Sequence, residues 1–153
     1  MQIFKRILLV SRGRSDAAGA LTAQTGGALD IVSCWDYAFE DFLRHSTFGR
    51  LPEDRIIDLL VGAQARHRAA LDGLIARAGI APGHRVTHLR GEPDRLIPAW
   101  IDEHGCDLLI LGTVARSGIA GFVIGNTAEN VVQKVRCSLL AVQPAESGPG
   151  ATA

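Results

Sequence analysis

Apolar residues fall along this chain in two alternating rhythms. The runs "IFKRILLV" (residues 3–10), "ALDIVSCW" (28–35), "CDLLILG" (106–112) and "CSLLAVQP" (137–144) are dense in Ile, Leu and Val, while "RVTHLRG" (85–91) alternates apolar with polar. Each has the length of a strand, and the unbroken run at 106–112 suits a strand buried on both faces. Between them the spacing becomes helical. Residues 52–79 place Ile56, Leu59, Leu60, Ala63, His67, Ala70, Leu71 and Leu74 on one stripe, with Pro52 and acidic Glu53 and Asp54 at the start and Gly79 after the last turn. Residues 92–105 put Leu96, Ile97, Trp100 and Ile101 on one face, with Pro98 expected to disturb the first turns. Residues 15–27 predict a weak helix with Ser15 as N-cap, and residues 126–136 a last one striped by Val131, Val132 and Val135.

Strand and helix therefore alternate from end to end, which predicts a parallel sheet covered by helices on both faces. In such sheets ligands sit beyond the carboxyl ends of the strands, where the strand order reverses. The loops after Val10 and Leu111 are thus the ones to examine. Residues 36–51, "DYAFEDFLRHSTFGRL", are aromatic and polar without periodicity and read as a mobile excursion or lid at the sheet edge. Residues 1–144 read as one domain and residues 145–153 as a disordered tail.

Composition narrows the function. The 153 residues carry 16 basic and 16 acidic side chains, so the excess positive charge of a general nucleic-acid binder is lacking. No apolar run reaches the length of a membrane span, and the N-terminal run is too short for a secretory signal, so a cytoplasmic location is expected. Cys34, Cys106 and Cys137 are scattered without metal-ligand spacing and read as buried thiols in a reducing compartment.

The chemistry concentrates in "LGTVARSGIAGFVIGNTAENVV", residues 111–132. A strand, then glycines, then a helix start can offer backbone N–H groups and a positive dipole end to an anion. Glycines also serve tight turns, and neither a Walker loop nor a G-x-G-x-x-G fingerprint is present. The stretches "DLLILGTVARSGIAGFVIGNTAENVVQKVRCSLLAVQP", "LRGEPDRLIPAWIDEHGCDLLILGT" and "FKRILLVSRGRS" resemble universal stress protein domains, most closely the bacterial tandem-domain class, although this chain is long enough for one domain only. The resemblance implies a five-stranded parallel α/β sheet of order 3-2-1-4-5, the adenine nucleotide alpha hydrolase-like fold. It also implies a homodimer paired through the last strand, residues 138–143.

The nucleotide-binding branch of that family carries G-x-x-G, nine residues, then Gly followed by Ser or Thr. Here Gly112 holds the first position, Ala115 replaces the second glycine, Gly125 holds the third, and Asn126 stands where the hydroxyl belongs, with Thr127 one place late. Thr113 and Arg116 complete the cradle. In the first loop ATP-binding members place an acidic residue against the nucleoside; this chain has Ser11 and Arg12, and arginine cannot accept a hydrogen bond. The resemblance thus implies a regulatory or protective binding protein of the stress response with a degenerate nucleotide or anion cleft, taking ATP weakly or another phosphate-bearing ligand. An ATP-binding member with slow hydrolysis or phosphotransfer, and a dimeric interaction module with an empty cleft, stay open beside it.

Other residues read as structural. His67 sits near an apolar stripe and reads as a satisfied boundary histidine. His84 and His88, four apart, would share one face of a strand but have no third ligand for a metal. Asp107 is expected to fix a loop by hydrogen bonding, and no G-x-S-x-G elbow serves Ser11 as a nucleophile.

Overall fold

The computed structural model describes residues 5–10, 15–36, 40–45, 51–112 and 126–142. The expected parallel α/β architecture is present. In chain order the elements are β1 (Arg6–Val10), α1 (Ser15–Thr25), β2 (Ala28–Trp35), α2 (Glu40–His45), α3 (Glu53–Arg77), β3 (Arg85–Arg90), α4 (Pro93–His104), β4 (Leu108–Gly112), α5 (Asn126–Val132) and β5 (Ser138–Val142). The strands lie in the order β3-β2-β1-β4-β5, all parallel.

Alternation along each strand divides the core in two. Leu29 and Ile31 of β2 and Leu108 and Ile110 of β4 meet Ala18 of α1 and Leu71 of α3 on one face. Val32, Leu109 and Leu111 meet Ile97, Trp100 and Ile101 of α4 and Val131 of α5 on the other. Ile31, Leu109 and Ile110 are wholly buried. Each such side chain contributes roughly 1.5–3 kcal/mol relative to exposure. Only a strand covered on both faces can bury consecutive apolar residues, which is why β2 and β4 read as unbroken runs.

Chain ends and turns follow from local chemistry. Lys5 ties the foot of the sheet together: its N–H donates to the Asp107 carboxylate at 2.9 Å, and its carbonyl accepts from Ala28 N–H at 2.9 Å. Asp107 thus does the loop-fixing its position suggests. Gly91 extends the β2–β3 ladder through its N–H to the Trp35 carbonyl, then turns at φ 127° into α4. A side chain there would be strained in backbone and would meet Leu96 Cδ1 at 3.3 Å.

Three expectations change. Residues 36–51 are not simply an excursion, because α2 forms within them. Its Glu40 pairs with Arg90 of β3, and its Arg44 pairs with Glu40 and with Glu53 of α3. Pro98 does not disrupt α4, which runs unbroken from Pro93 to His104. Proline removes the N–H that would bond the carbonyl of Asp94, and the Lys134 ammonium donates to that carbonyl instead at 3.0 Å, reaching Asp94 Oδ2 at 3.3 Å as well. The last helix stops at Val132 rather than 136, passing through a turn at Gln133 and Lys134.

Candidate functional site

The chain runs outward from β1 in both directions, to β2 and β3 on one side and to β4 and β5 on the other. The order reverses between β1 and β4, whose pairing sets Ile7 beside Leu108, Leu8 beside Leu109 and Leu9 beside Ile110. Their carboxyl ends, Val10 and Gly112, therefore lie side by side at the position where doubly wound sheets take ligands. Gly112 is half-buried and pairs on its other side with Val142 of β5. Because β4 and β5 are parallel, α5 between them runs back across the sheet, and it starts at the end where β4 stops. Asn126 and Thr127, its first residues, are exposed, while Ala128, Val131 and Val132 pack on the core and fix the helix against α4.

Of the residues marked by the sequence, the structure places Gly112 at the end of β4 and Asn126 and Thr127 at the start of α5. Ser11, Arg12, Thr113, Ala115, Arg116 and Gly125 lie outside the described residues.

A second polar group lies under α3. The Ser33 hydroxyl is 2.6 Å from His67 Nε2, and the His67 ring meets His88 edge-on at 5.9 Å between centroids. Ser33 and His88 are partners across β2 and β3. A hydroxyl at this distance from an imidazole is the arrangement of an activated serine. Ser33 is fully buried, however, so no substrate reaches it. The group holds α3 to the sheet, and His67 is the satisfied histidine its position suggests. Burial pushes the His88 imidazole below its ordinary value, with Arg68 adding to the effect. His84 does not share a strand face with His88: it precedes β3 and its Nδ1 meets the carbonyl of Ala81 at 3.0 Å. Among the described residues, no group of three His, Cys, Asp or Glu side chains could hold a metal ion, and no helix is long and apolar enough to cross a membrane.

The cysteines also differ from the expected buried thiols, for all three are half-buried. Burial still pushes Cys34 up to about 11. Cys106 and Cys137, far apart in sequence, pack against the same apolar cluster, and Cys106 draws the Cys137 thiol down against the larger rise caused by burial. The signal for this was available in the matched runs "CDLLIL" and "CSLLAV", each a cysteine just ahead of a strand.

A doubly wound parallel α/β sheet, with Gly112 at the end of β4 beside the strand-order switch, defines the class of protein. Residues 16–143 match the model of the Universal stress protein family, and the chain belongs to that family. It is 37% identical over 97 residues to the universal stress protein E homolog of Haemophilus influenzae, a stretch covering 63% of this chain and 31% of the relative. It is 35% identical over 82 residues, 53% of this chain and 25% of the relative, to universal stress protein E of Escherichia coli K12. The matched stretch is thus a third or less of the length of these curated relatives. Among solved structures, a universal stress protein in complex with cAMP aligns with a TM-score of 0.54 and 23% identity, covering 92% of this chain and 97% of the other. At these identities the likeness to solved structures concerns the fold.

Proposed function

We propose that this domain is a regulatory or protective binding module of the stress response, with a degenerate anion cleft at the carboxyl ends of β1 and β4. The observation that carries the proposal is the juxtaposition of those two strand ends at the order switch, with Gly112 at the mouth. The cAMP complex of a protein of the same fold supports a phosphate-bearing ligand. In this reading Ser11, Arg12, Thr113, Ala115, Arg116, Gly125, Asn126 and Thr127 line the cleft together with Gly112. Arg12 and Arg116 supply positive charge, and backbone N–H groups around Asn126 supply donors. Arg12 in place of an acidic nucleoside contact, Ala115 in place of glycine and Asn126 in place of a hydroxyl weaken ATP. Each lost hydrogen bond to a buried group costs about 1–3 kcal/mol, or one to two decades of affinity.

Calorimetry at low salt tests this reading. Phosphate-bearing ligands should bind, less tightly as salt is added. Arg12→Asp, Ala115→Gly and Asn126→Ser together should tighten ATP measurably. A native protein that purifies with ATP bound, or that binds neither ATP, AMP nor inorganic phosphate, overturns it. The same proposal includes pairing of two copies through β5, whose Leu139 and Leu140 stand exposed on an edge strand.

A further inference from the structure

Cys106 and Cys137 stand just ahead of β4 and β5, two neighbouring parallel strands. The ladder begins immediately: Leu108 pairs with Ser138, and the Ser138 N–H donates to the Asp107 carbonyl at 3.1 Å. That register sets Cys137 opposite Asp107, so Cys106 stands one residue off it along the neighbouring chain; strands about 5 Å apart with a rise of about 3.3 Å put such a diagonal pair roughly 6 Å apart, inside the roughly 4.4–6.8 Å between Cα atoms that a disulfide spans. Both side chains pack against the same apolar cluster under α4 and α5. Both are half-buried thiols outside any disulfide, and Cys106 acts on the Cys137 thiol, drawing it down against the larger rise that burial causes. Cys34 lies on β2, two strands from β4, in the same layer.

We propose that Cys106 and Cys137 form a reversible intramolecular disulfide, making this corner of the domain a site of oxidation by small hydroperoxides. One thiolate attacks the peroxide. A sulfur–oxygen bond forms, the oxygen–oxygen bond breaks, and the departing alkoxide or hydroxide takes a proton. The sulfenic acid so made is attacked by the second thiolate. The sulfur–sulfur bond forms, the sulfur–oxygen bond breaks, and hydroxide leaves as water after taking a proton. Two thiols and one hydroperoxide thus give one disulfide, one alcohol or water, and one further water. The two sulfurs lose the two electrons that the peroxide oxygens gain. Exchange with a dithiol reductant reverses the change.

Two properties follow. Burial pushes the Cys137 thiol above its ordinary value, so oxidation is slow near neutrality and accelerates as pH rises. The new ring holds β4 and α5, the elements that carry Gly112 and Asn126, so the oxidised domain melts higher than the reduced one through loss of freedom in its unfolded chain.

The test uses the full chain, hydrogen peroxide as the oxidant, alkylation of remaining thiols and mass spectrometry. Oxidation should remove two hydrogen atoms, leave Cys34 as the alkylated thiol, and yield a peptide linking Cys106 to Cys137 that dithiothreitol separates. Cys106→Ser and Cys137→Ser should each abolish the link. Because the link is mapped in the unsubstituted protein, the result does not depend on the variants folding. Three alkylated thiols after peroxide, a link that involves Cys34, or a disulfide between two chains overturns the proposal.

Discussion

The two edges of the sheet are built on opposite principles. At the β3 edge, Arg85 reaches across to Asp30 of β2 at 2.6 Å, and Arg90 pairs with Glu40 of α2 and lies over the Trp35 ring at 5.6 Å. Charge sits at both ends of that strand, and a helix is tied to it. At the β5 edge the strand reads "SLLAV", and Leu139 and Leu140 keep 36% and 38% of their surface exposed. An edge strand offers unpaired backbone groups to any other strand, and charged side chains are a common way of discouraging that. The contrast is between an edge laden with charge and one left apolar, and in the reading proposed above it is the second that takes a partner.

The largest expected effect comes from giving β5 the character of β3. Leu139→Lys with Leu140→Lys should convert a dimer into a species of 16.3 kDa in sedimentation velocity, with the circular dichroism spectrum kept. An unsubstituted chain already sedimenting at that mass would remove the distinction between the edges.

A smaller effect separates the edges by pH. His88 lies on β3, facing His67, Arg68 and Asp72 of α3, beside Ser33 of β2. Its folded value is depressed, so the unfolded chain binds the proton better. Its contribution is therefore complete above the ordinary value of 6.5 and is lost as pH falls through that region toward the folded value. Thermal unfolding on either side of that pH should show a falling Tm in the native chain and a flatter profile in His88→Leu. An identical slope in both would place the proton elsewhere.

Lys134→Ala comes next, since it removes the donor that serves the Asp94 carbonyl. Its cost should be under about 1 kcal/mol in denaturant unfolding because the pair is solvent-exposed. The smallest effect is that of Glu40→Gln. The hydrogen bonds from Arg90 and then Arg44 lower the Glu40 carboxyl below its ordinary 4.5. Its small contribution is present above that pH and fades in acid, so native and variant Tm curves should converge there.

Legibility in the sequence followed the reach of each interaction. β2 and α3 were readable because Leu29, Ile31 and Val32, or Ile56, Leu60 and Leu71, carry the period of their own element. α2 was not. "EDFLRH" is too short to show a repeat or to be stable alone, and it is held by Arg44–Glu53 at the start of the next helix and by Glu40–Arg90, a partner remote from it in sequence. The rescue of Pro98 by Lys134 was hidden for the same reason. Of the residues the glycine pattern pointed to, Gly112 ends β4 and Asn126 and Thr127 begin α5, while the loop between them lies outside the described residues. The like runs "CDLLIL" and "CSLLAV" put Cys106 and Cys137 at the same end of their strands, but that β4 and β5 are neighbours is a long-range pairing neither run states.

The position of β1 has a consequence for synthesis. Arg6 pairs with Ala28, so one side of β1 is covered soon after it is made. Its other side waits for Leu108 and Ile110, and the Lys5 N–H waits for Asp107. At about 5–20 residues per second the ribosome leaves that central ladder open for several seconds or more. Until β4 emerges, the nascent chain holds an apolar strand with one unsatisfied side, so its final collapse is a late, long-range event.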